Sequence, residues 1–173
     1  MSETTVRPAR ADDAAGCARV YAPYVTDSCI SFEYEPPTAE DFAARMTSAH
    51  AWLVAEDGGA VVGYAYASRH RERAAYDWAA DVAIYIAATH HGRGLGRRLY
   101  ERLFACVEAL GIRTLCAGVA QPNPGSDALH HALGFEEVGV YRRIGWKAGR
   151  WHDVRWWQLH LCDGRPPPAR VGG

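Results

Sequence analysis

Three glycines alternate with basic or apolar residues in the segment His91-Gly92-Arg93-Gly94-Leu95-Gly96-Arg97. The segment follows residues 82–86, an apolar run typical of a buried strand, and precedes residues 95–110, in which leucine recurs at helical spacing. Glycines permit a tight turn, and the first N–H groups of a helix lack partners and lie at the positive end of its dipole. This strand–glycine–helix arrangement predicts an anion site, and a pyrophosphate suits it best.

Three kinds of pyrophosphate loop compete for this segment. A P-loop requires Gly-Lys-Ser/Thr, whereas Gly96 is followed by Arg97-Arg98. A dinucleotide fingerprint requires G-x-G-x-x-G and an acidic residue about twenty positions later, but residues 114–118 contain no carboxylate. The segment instead resembles the coenzyme A loop of the GCN5-related N-acetyltransferases, Gln/Arg-x-x-Gly-x-Gly/Ala, with histidine in the first place.

The resemblance extends beyond the loop to linked motifs between Tyr76 and about Leu161, with a looser match in the N-terminal third. These motifs match the phosphinothricin acetyltransferase group of that superfamily, in order and without large gaps: Ala75-Tyr76-Asp77-Trp78, Ile84-Tyr85-Ile86, Leu99-Tyr100, Gln121-Pro122-Asn123, Leu129-His130-His131-Ala132-Leu133-Gly134-Phe135 and Gly149-Arg150-Trp151-His152-Asp153-Val154. The resemblance implies an α/β fold, a mixed sheet of about six to seven strands flanked by helices. Acetyl-CoA would be the co-substrate, bound where two central strands splay, and the protein would be a homodimer.

Acetyl transfer to an amine requires a base for the ammonium proton, a donor to the developing oxyanion and a proton for the leaving thiolate. Asp81 matches the position of the group's proposed glutamate base, with an arm one methylene shorter. His130 matches a histidine near the sulfur, which would donate a proton or position the amine. The alternatives are that Asp81 only caps or orients its strand and that His130 only packs on a half-buried helix face.

The predicted coenzyme site combines backbone groups of one strand with the glycine loop and the start of a later helix. Side chains alternate along a strand, so Tyr85 is expected to point away from its neighbours. Asn123 matches a coenzyme-contacting asparagine of the group, although turn chemistry also explains Asn in Pro-Asn-Pro-Gly. The predicted residues are Ile84, Tyr85, Ile86, Gly92, Arg93, Gly94, Leu95, Gly96, Arg97, Asn123 and Ser126.

The resemblance also implies an acceptor pocket. Arg71, Arg73 and Tyr76 fall on its lining positions, and Phe32, Tyr100 and Val154 match more loosely. Guanidinium groups bind carboxylate or phosphinate oxygens in a bidentate manner. The alternative for residues 69–73 is a solvated run of charge.

Composition limits the remaining possibilities. The chain has 173 residues, a formal net charge of −1 and five cysteines without a Cys-x-x-Cys pair. We therefore expect one domain over residues 1–163, a flexible Pro/Gly-rich tail over 164–173, reduced thiols and a cytoplasmic location. The near-neutral charge gives no reason to expect nucleic acid or a membrane as partner. The histidines lack metal-ligand spacing, so no metal is predicted.

The sequence therefore predicts an acetyl-CoA-dependent N-acetyltransferase for a small amino-acid-like acceptor of the phosphinothricin or methionine sulfoximine type. Two alternatives stay open. The acceptor could be another amine, such as an antibiotic, a polyamine or a protein N-terminus, although the arginine-rich loop disfavours cationic acceptors. The chain could also bind acyl-CoA without catalysis, because its base position is altered.

Overall fold

Seven strands form a single sheet in the order β1-β2-β3-β4-β5-β7-β6. The computed structural model describes residues 4–162, 164 and 166–167. The strands are β1 (Thr5–Pro8), β2 (Ala51–Asp57), β3 (Ala60–Arg69), β4 (Ala79–Ile86), β5 (Thr114–Ala120), β6 (Glu136–Lys147) and β7 (Arg150–His160). The helices are α1 (Ala14–Thr26), α2 (Ala39–Ser48), α3 (Leu95–Ala109) and α4 (Pro124–Ala132).

The two faces of the sheet carry separate apolar cores because side chains alternate along each strand. On one face, Val54 and Tyr64 pack with Tyr21 of α1 and Phe42 of α2. On the other face, Ala80 and Val82 of β4 belong to the core that contains the apolar stripe of α3. We call these the α1 face and the α3 face.

Strands β4 and β5 are the only parallel pair among the described strands, and their pairing is short. It joins Ala79, Ala80 and Asp81 to Thr114, Leu115 and Cys116. Both strands continue beyond this point without pairing, β4 to Ile86 and β5 to Ala120. The result is a wedge-shaped opening in the middle of the sheet. This topology confirms the predicted fold, including the splay of two central strands.

One sheet contains every strand of the described residues. A single domain over residues 1–163 stays a prediction. Most of the predicted tail, 164–173, lies outside the described residues. No described helix has the length and apolar character that crossing a bilayer requires.

Candidate active site

A cavity of about 610 Å³ occupies the opening between β4 and β5 and extends to the start of α3 and to α4. Its walls contain ten of the eleven residues predicted to bind the coenzyme, nine of which are Ile84, Tyr85, Ile86, Gly92, Gly94, Leu95, Gly96, Arg97 and Asn123. Ser126 is the tenth, whereas Arg93 does not line the cavity. We call this space the coenzyme cleft.

The glycine loop has the backbone that its sequence requires. Gly92 and Gly94 have φ of +72° and +71°, in the left-handed region that favours glycine. A Cβ at either position would meet no atom within 4 Å, so the loop borders open space. The first bond within α3 runs from the Arg98 N–H to the Gly94 carbonyl. The N–H groups of residues 95–97 therefore lack partners within the helix and can bind an anion.

The arginines near this loop have different roles. Arg97 donates to the carboxylate of Glu101 and to the Ala132 carbonyl at the end of α4. Arg98 and Arg102 donate to the carbonyls of Thr4 and Val6 at the first strand, so they fasten that strand. Arg93 is exposed and makes no ion pair with the part of the chain that the structure describes. Its charge is therefore not neutralised by a carboxylate of the described residues.

The backbone of β4 faces the cleft at every second residue. The N–H of Ala87, directly after β4, donates to the Val62 carbonyl on β3. The backbone N–H and carbonyl of Ile86 point away from β3 and bond to the Tyr24 hydroxyl. By alternation, Ile84 also presents its N–H and carbonyl to the cleft, while the backbone of Tyr85 faces β3. The ring of Tyr85 lies on the α1 face, 4.7 Å from the ring of Tyr21 between centroids, as the sequence predicts.

Tyr24 is a cleft residue that the sequence analysis missed. Its hydroxyl donates to the Ile86 carbonyl at 2.5 Å and lies 3.1 Å from His91 Nε2. It also accepts from the Ile86 N–H at 3.4 Å. The backbone groups of Ile86 are thus engaged within the protein, which leaves Ile84 as the accessible backbone donor on β4.

Asn123 and His130 belong to α4. The Asn123 side chain caps the helix by accepting from the Ser126 N–H, as the turn alternative expected, and it also lines the cleft. His130 is buried and lies 2.7 Å from the Ser126 carbonyl through Nδ1 and 3.2 Å from the Tyr100 hydroxyl through Nε2. The carbonyl requires a proton on Nδ1, so Nε2 accepts from Tyr100. Burial lowers the pKa of His130, which favours its neutral form.

A second cavity of about 400 Å³ lies on the α1 face. Phe32 and Val154, both predicted acceptor residues, line it together with Ser31 and Glu33. Four residues line both cavities: Ile30, Tyr85, Gly118 and Ala120. The two spaces therefore adjoin at the unpaired ends of β4 and β5. We call this second space the acceptor cavity.

The loop between α1 and α2, which carries Phe32, is held by the β6–β7 hairpin. Lys147 is buried and donates to the carbonyls of Val25 and Ser31, each at 2.7 Å. The ring of Phe32 lies against Gly145, where any Cβ would collide with it. Burial of an ammonium group is costly without such partners, so these bonds fix the loop.

Asp81 is the last residue of β4 that pairs with β5, so it lies where the cleft begins. Its neighbours Val82 and Ala83 line the cleft. Asp81 Oδ1 is 2.6 Å from His70 Nδ1. Burial raises the pKa of Asp81, while the hydrogen bond from His70 opposes that rise.

His70, Asp81 and Cys116 are the one group of potential metal ligands in the described residues, with donor atoms within 4.8 Å of one another. Ligands about 2.0 Å from a tetrahedral zinc ion lie about 3.3 Å apart. The separation between His70 and Asp81 is shorter and is that of a hydrogen bond. The arrangement therefore suits a shared proton better than a metal ion.

The predicted acceptor residues Arg71, Arg73 and Tyr76 lie in the loop between β3 and β4 and line neither cavity. Arg69 organises this loop by donating to the carbonyls of Arg71 and Glu72 and by pairing with Asp77. The guanidinium groups of Arg71 and Arg73 stay exposed at the edge of the site.

Tyr100 is separated from the other predicted acceptor residues. It is fully buried in the core of the α3 face and lines the coenzyme cleft beside His130. Tyr100 contacts the cleft from the α3 face, whereas Phe32 and Val154 lie on the α1 face. The structure thus places Tyr100 on the coenzyme side, which differs from the prediction of an acceptor contact.

The chain matches a protein-family model described as an acetyltransferase (GNAT) domain over residues 6–156. This chain belongs to the GNAT acetyltransferases. The match spans both cavities, the glycine loop and every strand except the ends of β1 and β7, and it confirms the family predicted from the motifs.

Comparison with individual proteins shows which acetyltransferases this GNAT chain is similar to. It is 38% identical to a phosphinothricin N-acetyltransferase of Streptomyces viridochromogenes, over 95% of this chain and 92% of the relative. It is 34% identical to an L-methionine sulfoximine/L-methionine sulfone acetyltransferase of Salmonella typhimurium, over 74% of this chain and 75% of the relative. A solved phosphinothricin acetyltransferase from Sinorhizobium meliloti, in complex with acetyl-CoA, superposes with a TM-score of 0.92 at 35% identity, over 99% of this chain and 96% of that one.

Proposed function

We propose that this GNAT chain transfers the acetyl group of acetyl-CoA to the amine of a small anionic amino acid of the phosphinothricin or methionine sulfoximine type. The observation that carries the proposal is the junction of the two cavities at Gly118 and Ala120. One cavity begins at a helix start that can bind an anion, and the other is lined by Phe32 and Val154. A thioester in the first can therefore meet an amine in the second.

The coenzyme would bind with its pyrophosphate on the N–H groups of residues 95–97 and beside Arg93. Its pantetheine arm would follow β4, where the Ile84 N–H can support the carbonyl oxygen as negative charge develops. Asn123 and Ser126 would border the arm from α4. Tyr100 and His130 lie on the α3 side of this path, where their hydrogen-bonded pair can return a proton to the thiolate.

The exposed guanidinium groups of Arg71 and Arg73 favour an acceptor that carries a carboxylate and a second anionic or strongly polar group. The relatives named for phosphinothricin and methionine sulfoximine support this class. Acetylation removes the basic amine of such a compound, so detoxification of inhibitors that imitate glutamate is the biological role that we propose.

An acetyl-CoA consumption assay tests the function directly. Phosphinothricin, methionine sulfoximine and methionine sulfone would be compared with a polyamine, an aminoglycoside and an N-terminal peptide. We expect turnover with the first three and little with the cationic acceptors. Tight acetyl-CoA binding without turnover on any amine would instead favour the binding-module alternative.

We also propose a homodimer that works in the cytoplasm. Large apolar side chains are exposed along the surface of the β6–β7 hairpin: Val138, Tyr141, Ile144, Trp146 and Trp151. We call this surface the hairpin patch. Exposed large apolar side chains, among them the contacting pair Trp146 and Trp151, are typical of a protein interface. The five free cysteines suit a reducing compartment.

A further inference from the structure

The pairing of His70 with Asp81 has the geometry of a proton-handling dyad. His70 Nδ1 lies 2.6 Å from Asp81 Oδ1, and the two side chains are 16% and 31% exposed. They come from different elements, because His70 directly follows β3 and Asp81 lies within β4. The contact thus arises from the antiparallel pairing of β3 with β4, which brings Arg69 opposite Ala80.

The hydrogen bond defines the tautomer of His70. An ionised carboxylate only accepts hydrogen bonds, so the proton of a neutral imidazole lies on Nδ1, toward Asp81. Nε2 then presents a lone pair, and within the described residues it has no hydrogen-bond partner. An imidazole held in this way by a carboxylate is arranged to accept a proton.

The groups around the dyad do not compete for that proton. Burial raises the pKa of Cys116 and raises that of Tyr66 to about 12, so both stay protonated at neutral pH. The Tyr76 ring packs edge-on, 5.6 Å from the imidazole between centroids. The Arg71 guanidinium, which donates to the His70 carbonyl, is the nearby cation. Among the described residues, Asp81 is thus the one anion that forms an ion pair with the ring.

We propose that His70 is the general base of acetyl transfer and that Asp81 is the residue that orients it. This proposal rests on the proposed function. The family that this chain resembles has a glutamate where this chain has Asp81. The aspartate side chain is one methylene shorter and is already hydrogen-bonded to His70. The imidazole lies near Cys116, at the end of the paired part of β4 and β5 and next to Val82 and Ala83, which line the cleft. Imidazole also exchanges protons near neutral pH, where a general base is most effective.

The acceptor ammonium gives one proton to His70 Nε2, directly or through one water, and Asp81 stabilises the imidazolium. The free amine forms the N–C bond with the thioester carbonyl carbon. As the C–S bond breaks, the nitrogen loses its second proton and the thiolate gains one. His70 then releases its proton to solvent, so amide, free coenzyme A and one proton are the products.

A double-mutant cycle with a pH series tests the proposal. We would measure kcat/KM for methionine sulfoximine between pH 6.5 and 9.5 in the parent, His70→Gln, Asp81→Asn and the double variant. At pH 7 we expect each single variant to lose about 10²–10⁴-fold, and the double variant to be little slower than the slower single one, because the residues act as a unit. Acetyl-CoA affinity should be unchanged. His160→Gln, an exposed histidine on β7, is the matched control.

The pH dependence separates catalysis from structure. A neutral amine needs no base. The loss of kcat/KM in His70→Gln relative to the parent should therefore shrink as the pH approaches the pKa of the acceptor's amine. A merely structural role would give a constant deficit. Added imidazole should also restore activity to His70→Ala by at least several-fold. Parent activity combined with His70→Gln rates equal to the parent at every pH would overturn the proposal, whereas absent parent activity would instead contradict the proposed function.

Discussion

Asp81 and His130 lie on opposite faces of the sheet. Asp81 alternates with Ala80 and Val82, which belong to the core of the α3 face, so its own side chain is on the α1 face. His130 packs against Phe135 and Trp157 on the α3 face. The two residues can therefore take part in one reaction only through the cleft. The amine would lose its proton on the α1 face, and the sulfur would gain a proton on the α3 face.

This separation predicts different results for the two residues. Asp81→Asn should reduce kcat by about 10²–10⁴-fold without a loss of stability, since the substitution keeps the side-chain volume. His130→Ala removes a buried ring and its two hydrogen bonds, so we expect both activity and melting temperature to fall. His131→Ala, on the exposed side of α4, is the control. Enzyme kinetics and thermal unfolding would be measured on the same preparations, and a stable, fully active His130→Ala variant would contradict this assignment.

The glycine loop gives a prediction with a close internal control. Gly94→Val places a side chain in the open space beside the start of α3 and strains a backbone at φ +71°. Gly59→Val introduces similar strain at φ +81° in the β2–β3 turn, also with no atom within 4 Å. Both should lose about 1–3 kcal/mol of stability. Only Gly94→Val should weaken acetyl-CoA binding in calorimetry, and equal affinities in the two variants would contradict the pyrophosphate site.

The exposed arginines should affect the acceptor alone. Arg71→Ala and Arg73→Ala should raise the acceptor KM by about 10–100-fold, the loss expected for a hydrogen bond to a charged group. The acetyl-CoA dissociation constant should stay the same. Arg150→Ala, in an exposed position at the start of β7, is the control. An unchanged KM in both variants would show that these arginines are solvated surface residues that do not bind the acceptor.

Much of the coenzyme site could be predicted because its signals are local. A strand, three glycines and an apolar helix occupy consecutive positions, and the alternation of side chains in β4 follows directly. The contacts that were missed join distant positions. Tyr24 reaches Ile86 across 62 residues, and Tyr100 faces His130 across 30. Such pairs depend on how helices pack on the sheet, which periodicity alone does not determine.

The acid stability of the fold should depend on Asp13. Arg7 donates to both of its carboxylate oxygens, at 2.7 and 2.8 Å, and these bonds lower the pKa of Asp13 below its ordinary value of 3.8. A lowered pKa means that the stabilisation is complete above pH 3.8 and is lost as the pH falls through the lower folded value. Asp13→Asn should therefore cost about 1–3 kcal/mol at pH 7, and the difference from the parent should shrink below pH 4. Urea unfolding at pH 7, 5 and 3 would show this, with exposed Asp12→Asn as control.

The proposed dimer can be tested through the hairpin patch. Trp151 is 55% exposed and its ring lies 5.2 Å from that of Trp146 between centroids. Trp151→Glu places a charge in this apolar surface and should dissociate the dimer, as measured by sedimentation. Leu110→Glu changes a comparably exposed apolar residue at the end of α3 and should not alter the sedimentation coefficient. A monomeric parent protein would contradict the proposal at once.

Gly145 shows how the acceptor range of such an enzyme can be altered from outside the acceptor cavity. The ring of Phe32 occupies the place that a methyl group at position 145 would need. A single methyl group on β6 would displace the ring toward the space where the acceptor's side chain is expected. Discrimination between bulky and compact amino acids can therefore change through a substitution on β6, a strand that does not line the acceptor cavity. Searches for altered specificity should include such positions behind the cavity wall.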